Sequence, residues 1–251
     1  MTNTGYGLTD MKQIDLLSVI IPCYNEENTL NLIVFEVLAA PIGATKKEII
    51  IVDDCSKDNS LKIIKKLEQQ YPEVIGIAQT TNQGKGAALK KGFLASKGQV
   101  VIVQDADREY DPRDYARLLD IIEEDRADIV FGTRFSGGMP RRVQYLMHTI
   151  GNKFMTLLSA ALNGLYIHDI HTCYIMFDGD WIRQQAPSLT SNRFGFNPEI
   201  VARIAKNKKH IRICETSVSY YARGKEEGKK IGWKDGIAAV WDILYFNLLQ
   251  K

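Results

Sequence analysis

Short β-branched runs alternate with longer stretches of helical period through the first half of the chain, and few architectures accept that order. Residues 17–22, 48–53, 74–78 and 99–103 read as strands, and 26–39, 58–70 and 85–96 read as the helices between them. Leu61, Ile64 and Leu67 recur at helical spacing, as do Ala88, Phe93 and Ala95 less cleanly, so each helix lays an apolar face on a sheet. Asp58, Asn59 and Ser60 offer capping side chains where the second helix starts. Strand–helix alternation of this kind builds βαβ units, and the expected fold is α/β, a Rossmann-like, mainly parallel sheet flanked by helices. A helix over 113–124 and a strand over 128–131 follow, and the turn at 137–140 marks a change of character. Beyond it the pattern predicts an apolar helix over 143–166, a strand pair at 172–177 and 212–221, and a helix from Trp233. With 251 residues and 45% hydrophobic content, the chain suits a loose tail over 1–15 and one domain over 16–251. That domain divides into a first half, 16–134, and a smaller second half, 135–251.

Charge and cysteine usage narrow the partners. A formal net charge of +2 gives no reason to expect nucleic acid, so any anion binding is local. Cys23, Cys55, Cys173 and Cys214 are scattered, form no CxxC pair and resemble no zinc site, which suits a reducing cytosol. The first fifteen residues lack the basic start and apolar stretch of a signal peptide, so export is not expected. The most apolar window, 154–167, is shorter than the roughly 20 residues that a spanning helix needs.

Sheets of this type bind ligands beyond the carboxyl ends of their strands. Three strand ends are loaded with polar groups: Pro22 to Glu27, Asp53 to Ser56, and Asp105-Ala106-Asp107. Two carboxylates one residue apart after an apolar strand, with Glu109 two residues on, supply hard oxygen ligands for Mg²⁺ or Mn²⁺ bridging a diphosphate. Such a cation offsets the charge that builds on a departing nucleoside diphosphate. A solvated acidic turn is the plain alternative, and the position after a strand argues against it. Gly84-Lys85-Gly86 puts a cation between two flexible residues at a helix start, where backbone N–H groups and the ammonium can meet a phosphate. It lacks the spacing and the Ser/Thr of a P-loop.

Taken together, Ser18-Val19-Ile20-Ile21-Pro22-Cys23-Tyr24-Asn25-Glu26, Val52-Asp53-Asp54-Cys55-Ser56-Lys57-Asp58, Asn82-Gln83-Gly84-Lys85-Gly86, Gln104-Asp105-Ala106-Asp107, Gly132-Thr133-Arg134 and Arg193-Phe194-Gly195-Phe196 resemble the family 2 glycosyltransferases. With the tail from Arg223 to Trp233, the resemblance is to the polyprenyl-phosphate sugar synthases within that family, over nearly the whole chain. It implies a GT-A fold whose first half binds a UDP- or GDP-sugar and whose second half meets the acceptor. It implies that Pro22, Tyr24 and Glu26 line the nucleoside pocket and that Asp54 reads the base, with Asp53 either sharing that task or holding its own loop. Lys85, Asp105, Ala106 and Lys229 complete the donor site, Asp105, Asp107 and Glu109 the metal site. Arg134, Arg223 and Lys230 approach the phosphates, with the basic segment 223–230 closing over them. The stretch Asp169-Ile170-His171-Thr172-Cys173-Tyr174 departs from the Asp-x-x-Ser-Gly-Phe-like pattern of those synthases, keeping a hydroxyl and an aromatic but bringing in His171 and Cys173.

Family 2 enzymes invert the anomeric centre in one displacement, and a hydroxyl acceptor then needs a general base. No Glu-Asp pair stands where hydroxyl-glycosylating relatives carry theirs, and Glu199 is the one carboxylate in the acceptor-side motif. A polyprenyl phosphate is already an anion and needs none. The expected reaction is therefore metal-dependent transfer to polyprenyl phosphate, at the cytoplasmic face of a membrane. A saccharide or protein hydroxyl is the alternative acceptor. The sparsely charged stretches 143–166 and 237–249 suit peripheral attachment to a bilayer, and suit equally packing on the sheet or on a second subunit in a homodimer.

Overall fold

The computed structural model describes residues 11–143, 146–223 and 233–250. In chain order these form β1 (Leu16–Cys23), α1 (Leu30–Leu38), β2 (Lys46–Asp53), α2 (Ser60–Gln70), β3 (Val74–Ala78), α3 (Lys85–Ala95) and β4 (Val100–Val103). They continue as α4 (Tyr115–Glu123), β5 (Ile129–Thr133), α5 (Leu146–Asn163), β6 (Ile175–Asp178), α6 (Gly179–Gln185), α7 (Phe196–Lys206), β7 (Ile213–Ser217) and α8 (Trp233–Leu244). A π-helical turn, Tyr245–Leu249, extends α8.

One seven-stranded sheet runs in the order β3-β2-β1-β4-β6-β5-β7. Its strands are parallel except β6, which is antiparallel to both β4 and β5. In register, Ile20 of β1 faces Ile50 of β2 on one side and Val103 of β4 on the other. Val19, Ile20 and Ile21, with Ile49 through Val52, have no exposed surface. This explains why the strands read as unbroken apolar runs: parallel strands covered on both faces have no polar side to show. Gly92 lets α3 lie directly on β1, because a Cβ there would collide with the Ile20 side chain.

The first α-helix starts at Leu30 rather than near residue 26. The Glu26 carbonyl accepts from the N–H groups of both Thr29 and Leu30, and Asn25 sits at a φ of 53°, so residues 25–29 form a turn. At α2 it is Asp58 that does the capping: Oδ1 accepts from Ser60 N–H and Oδ2 from Glu27 N–H. The segments expected as a strand pair are not paired with each other. β6 and β7 lie on opposite sides of β5. The boundary expected near Arg134 consequently cuts through the sheet, since β5 is joined to β4 only by way of β6. Running backwards, β6 brings Ile175 beside Phe131, so residues 169–174 arrive at the same edge as the loops that follow β1, β2 and β4.

Candidate active site

At that edge four carboxylates and two cations are gathered. Lys85 opens α3, and its Nζ lies 2.5 Å from Asp105 Oδ1. Arg223 donates from Nη2 to Asp107 Oδ2 at 2.9 Å, and its Nη1 is 3.6 Å from Glu26 Oε2. Glu109 closes the group, accepting from Arg223 N–H at 2.8 Å on Oε1 and from the Tyr220 hydroxyl at 2.7 Å on Oε2. Burial, then the like charges of Asp105 and Glu109, push the Asp107 carboxyl up to about 7, with Arg223 pulling the other way. Burial works against the charge on Lys85, but Asp105 and its neighbours outweigh it and hold the ammonium above its usual range.

These groups fit a divalent cation. Their oxygens are hard donors, and the repulsion that lifts Asp107 is what a bound cation relieves. Among the described residues no three His, Cys, Asp or Glu groups form a closed cage. An ion shared with a substrate diphosphate needs only one or two carboxylates, the rest of its shell coming from phosphate and water.

The loop that carries Lys85 is held from two sides. Asp54 is buried, and its Oδ1 accepts from Gln79 Nε2 at 2.8 Å and Gln83 N–H at 2.7 Å, while Oδ2 accepts from Gly84 N–H at 2.7 Å. The carboxylate expected to read the base is thus turned on the 79–84 segment. Asp53 holds its own loop through Oδ2, which accepts from Ser56 N–H, and its Oδ1 is buried with no partner. From the other side, the Asn192 carbonyl accepts from Ala87 N–H. Gly84 has a φ of 103°, and a Cβ there would fall 2.5 Å from the Asn192 oxygen, so only glycine lets the loops approach. The residue behind this second clamp is Glu199, fully buried on α7, which accepts from the N–H groups of Thr190 and Ser191 and from Arg203. Glu199, the carboxylate of the acceptor-side motif, is thus a brace, and its i,i+4 partner Arg203 was the readable sign of that role.

Arg134 is buried too. It makes a bidentate pair with Asp169, Nε to Oδ2 at 2.6 Å and Nη2 to Oδ1 at 2.8 Å, and its guanidinium lies 4.9 Å from the centre of the Tyr220 ring. Here it ties residues 169–174 to the end of β5. Below it Tyr110 stacks on Tyr174 at 4.7 Å, and the hydroxyls of Tyr115 and Tyr174 both donate to Gln104 Oε1. His171 has a buried, partnerless Nε2, and burial first, with Arg134 assisting, pulls its pKa down to about 4 against the opposing charge of Asp169. Pro22, near the end of β1, is half-buried, Ala106 is buried, and Tyr24 follows β1, half-buried as well. Lys229 and Lys230, with the rest of 224–232, lie outside the described residues.

The pattern of Glycosyl transferase family 2 matches residues 18–184. The chain belongs to that family. Among curated relatives of this glycosyltransferase, the UDP-N-acetylglucosamine–dolichyl-phosphate N-acetylglucosaminyltransferase of Methanococcus voltae is 27% identical over 87% of the chain and 92% of its own length. The dolichyl-phosphate beta-glucosyltransferase of Dictyostelium discoideum is 29% identical over 81% of the chain and 66% of its own length. The dodecaprenyl-phosphate galacturonate synthase of Rhizobium johnstonii is 26% identical over 95% and 68%. Of solved structures, glucosyl-3-phosphoglycerate synthase from Mycobacterium tuberculosis, in complex with Mn²⁺, UDP and glucosyl-3-phosphoglycerate, superposes with a TM-score of 0.70 at 16% identity, over 94% of this chain and 80% of that one. Mannosyl-3-phosphoglycerate synthase from Rubrobacter xylanophilus gives 0.70 at 14% identity, over 93% and 72%. The fold of this family 2 enzyme is therefore GT-A.

Proposed function

We propose that this glycosyltransferase moves a sugar, with inversion, from a UDP- or GDP-sugar to a polyprenyl phosphate at the cytoplasmic face of a membrane. The observation that carries the reading is the cluster of Glu26, Asp105, Asp107 and Glu109 around Arg223 and Lys85, gathered at the edge where residues 169–174 arrive. Mg²⁺ or Mn²⁺ held by Asp105 and Asp107, with Glu109 beside them, would supply Lewis-acid neutralisation of the departing diphosphate.

The chain's own groups supply the rest. Pro22, Tyr24 and Asp53 border the nucleoside end, and Asp54 acts there through the loop it holds. Lys85, fixed by Asp54 from one side and Glu199 from the other, keeps its positive charge beside the diphosphate. Arg223, set among Asp107, Glu26 and Glu109, is the described cation placed to meet the acceptor phosphate, and Lys229 and Lys230 follow it in sequence. Arg134 orients the acceptor segment through Asp169.

Two observations favour a phosphate over a hydroxyl acceptor. Glu199 is buried and spent on Thr190, Ser191 and Arg203, so it braces the 190–192 loop. The imidazole of His171, at about 4, is too weak a base for a sugar hydroxyl. The curated relatives named above act, by their names, on dolichyl or dodecaprenyl phosphates, which agrees.

The test is direct: incubate the protein with polyprenyl phosphate, Mg²⁺ or Mn²⁺, and a panel of labelled UDP- and GDP-sugars, then extract with organic solvent. Label in the lipid phase from one donor is expected. Efficient labelling of a saccharide or protein hydroxyl while polyprenyl phosphate is ignored would sink the reading.

A further inference from the structure

Two helices outside the site leave an apolar surface uncovered. On α5, Leu146, Met147, Ile150, Phe154 and Leu157 are each 50–75% exposed and form one stripe at helical spacing. The opposite side of α5 is anchored, with Thr156 and Ser159 buried and Met155, Leu158 and Leu162 packed on the core. α8 and its π-helical turn repeat the arrangement: Ile243 and Phe246 point inward, while Ile237, Trp241, Leu248 and Leu249 are 58–63% exposed. The two helices pack against each other. Folded domains seldom leave an apolar surface of this extent to water unless something docks there.

The surrounding charge identifies the occupant. From Arg141 to His168 the sequence contains no Asp or Glu. The stripe on α5 begins after exposed Arg141 and Arg142, and a basic turn closes its far end. There Lys208 Nζ donates to the Asn163 carbonyl at the end of α5, and Lys206 Nζ donates to the Gln250 carbonyl after the π-helical turn. Lys209, next to Lys208 in sequence, is exposed too. The α5 stripe, with cations at both ends and no acid along it, is complementary to an anionic bilayer, whose headgroups meet lysine and arginine as acyl chains receive the side chains between; α8 does carry acids, Asp235 and the half-buried Asp242. A second copy of the chain fits poorly, because parallel or antiparallel pairing of α5 stripes sets positive ends against positive ends.

We infer that α5 and α8 together form the surface by which the enzyme rests on an anionic membrane. The inference builds on the proposed polyprenyl-phosphate acceptor and adds where the lipid surface lies. Arg142 N–H donates to the Tyr220 carbonyl and Arg141 Nη1 to the Arg134 carbonyl. The membrane end of α5 is thus continuous with Tyr220 and Arg223, and a lipid-borne phosphate enters the carboxylate cluster from that end.

Cosedimentation with vesicles of phosphatidylcholine, with and without phosphatidylglycerol, tests this without measuring transfer. The protein is expected to sediment with phosphatidylglycerol vesicles, less so as salt is added. Phe154→Gln and Trp241→Gln each weaken partitioning about tenfold, the value of one large apolar side chain. Lys208→Glu with Lys209→Glu removes the preference for phosphatidylglycerol. All of these variants keep wild-type transfer to a short, water-soluble prenyl phosphate, so loss of docking is separable from loss of the proposed reaction. A wild-type protein that stays in the supernatant with both vesicle types overturns the inference, as does unaltered vesicle binding by Phe154→Gln and Trp241→Gln. A dimer in light scattering that Phe154→Gln dissociates, with no vesicle binding, assigns the face to a second copy instead.

Discussion

Replacing Asp54 with Asn separates two roles that this carboxylate can have. Its two oxygens accept three hydrogen bonds, from Gln79 Nε2, Gln83 N–H and Gly84 N–H. Asn keeps one oxygen, which can still serve Gln83 and Gln79, but turns an N–H₂ toward the Gly84 N–H, donor against donor. One charge-assisted bond is lost and a buried donor is left unsatisfied, at a cost of about 2–3 kcal/mol. Urea denaturation reads this as a lower midpoint with an unchanged slope. Because Lys85 follows Gly84, the same substitution loosens the ammonium beside Asp105, and kcat falls together with a rise in the donor KM. A side chain that only read the base would behave differently: KM for the nucleotide sugar would rise, while kcat and the urea midpoint would hold. A midpoint within about 0.5 kcal/mol of wild type, with only KM changed, refutes the loop-clamp argument.

Three further outcomes follow from the geometry. Arg134→Ala leaves Asp169 buried without its counter-charge and costs about 3–5 kcal/mol in urea denaturation, whereas Arg134→Met with Asp169→Leu recovers most of that stability but not transfer. Mn²⁺ affinity, followed by titration calorimetry, weakens as pH falls through about 7, because Asp107 takes up a proton there and a protonated carboxyl is a poor ligand; Asp107→Asn abolishes this dependence and lowers transfer about a hundredfold or more. His171 has a pKa lowered by burial, so its share of stability is complete above its ordinary 6.5 and is lost as pH falls toward about 4; His171→Gln is expected to flatten that part of the stability profile by up to about 3 kcal/mol.

Local pattern made part of this molecule legible and hid the rest. The strands β1, β2 and β4 announced themselves because both faces of each are covered, which leaves runs such as Ile49 to Val52 without a polar interruption. The acidic cluster was legible for a related reason, since polar residues immediately beyond an apolar strand gather at one edge of a parallel sheet. Long-range partnership was not. Nothing near β6 says that it runs antiparallel between β4 and β5, and nothing near Arg134 points to Asp169, 35 residues away. Asp54 was singled out by motif, but the inward direction of its hydrogen bonds depends on Gln79 and Gly84, which come from a different loop. Glu199 shows the same limit in reverse. A glutamate in an acceptor-side motif invites a catalytic reading; Arg203 four residues on hints at a brace, and the bonds to Thr190 and Ser191, which come from another loop, establish it.

The backward strand also sets the order in which the molecule can assemble. β4 ends at Val103 and β5 at Thr133, yet neither gains its shared neighbour until β6 arrives some forty residues after β5. Until then β4 and the β5 segment present open edges, and the chain must close a long excursion through α5 before the sheet is continuous. A ribosome that has released only the first 134 residues has therefore made not a small folded domain but a sheet with a gap in it. Cutting the gene there is expected to yield protein that aggregates through those edges rather than a soluble nucleotide-binding fragment, and a chaperone that shields strand edges would act during the synthesis of α5.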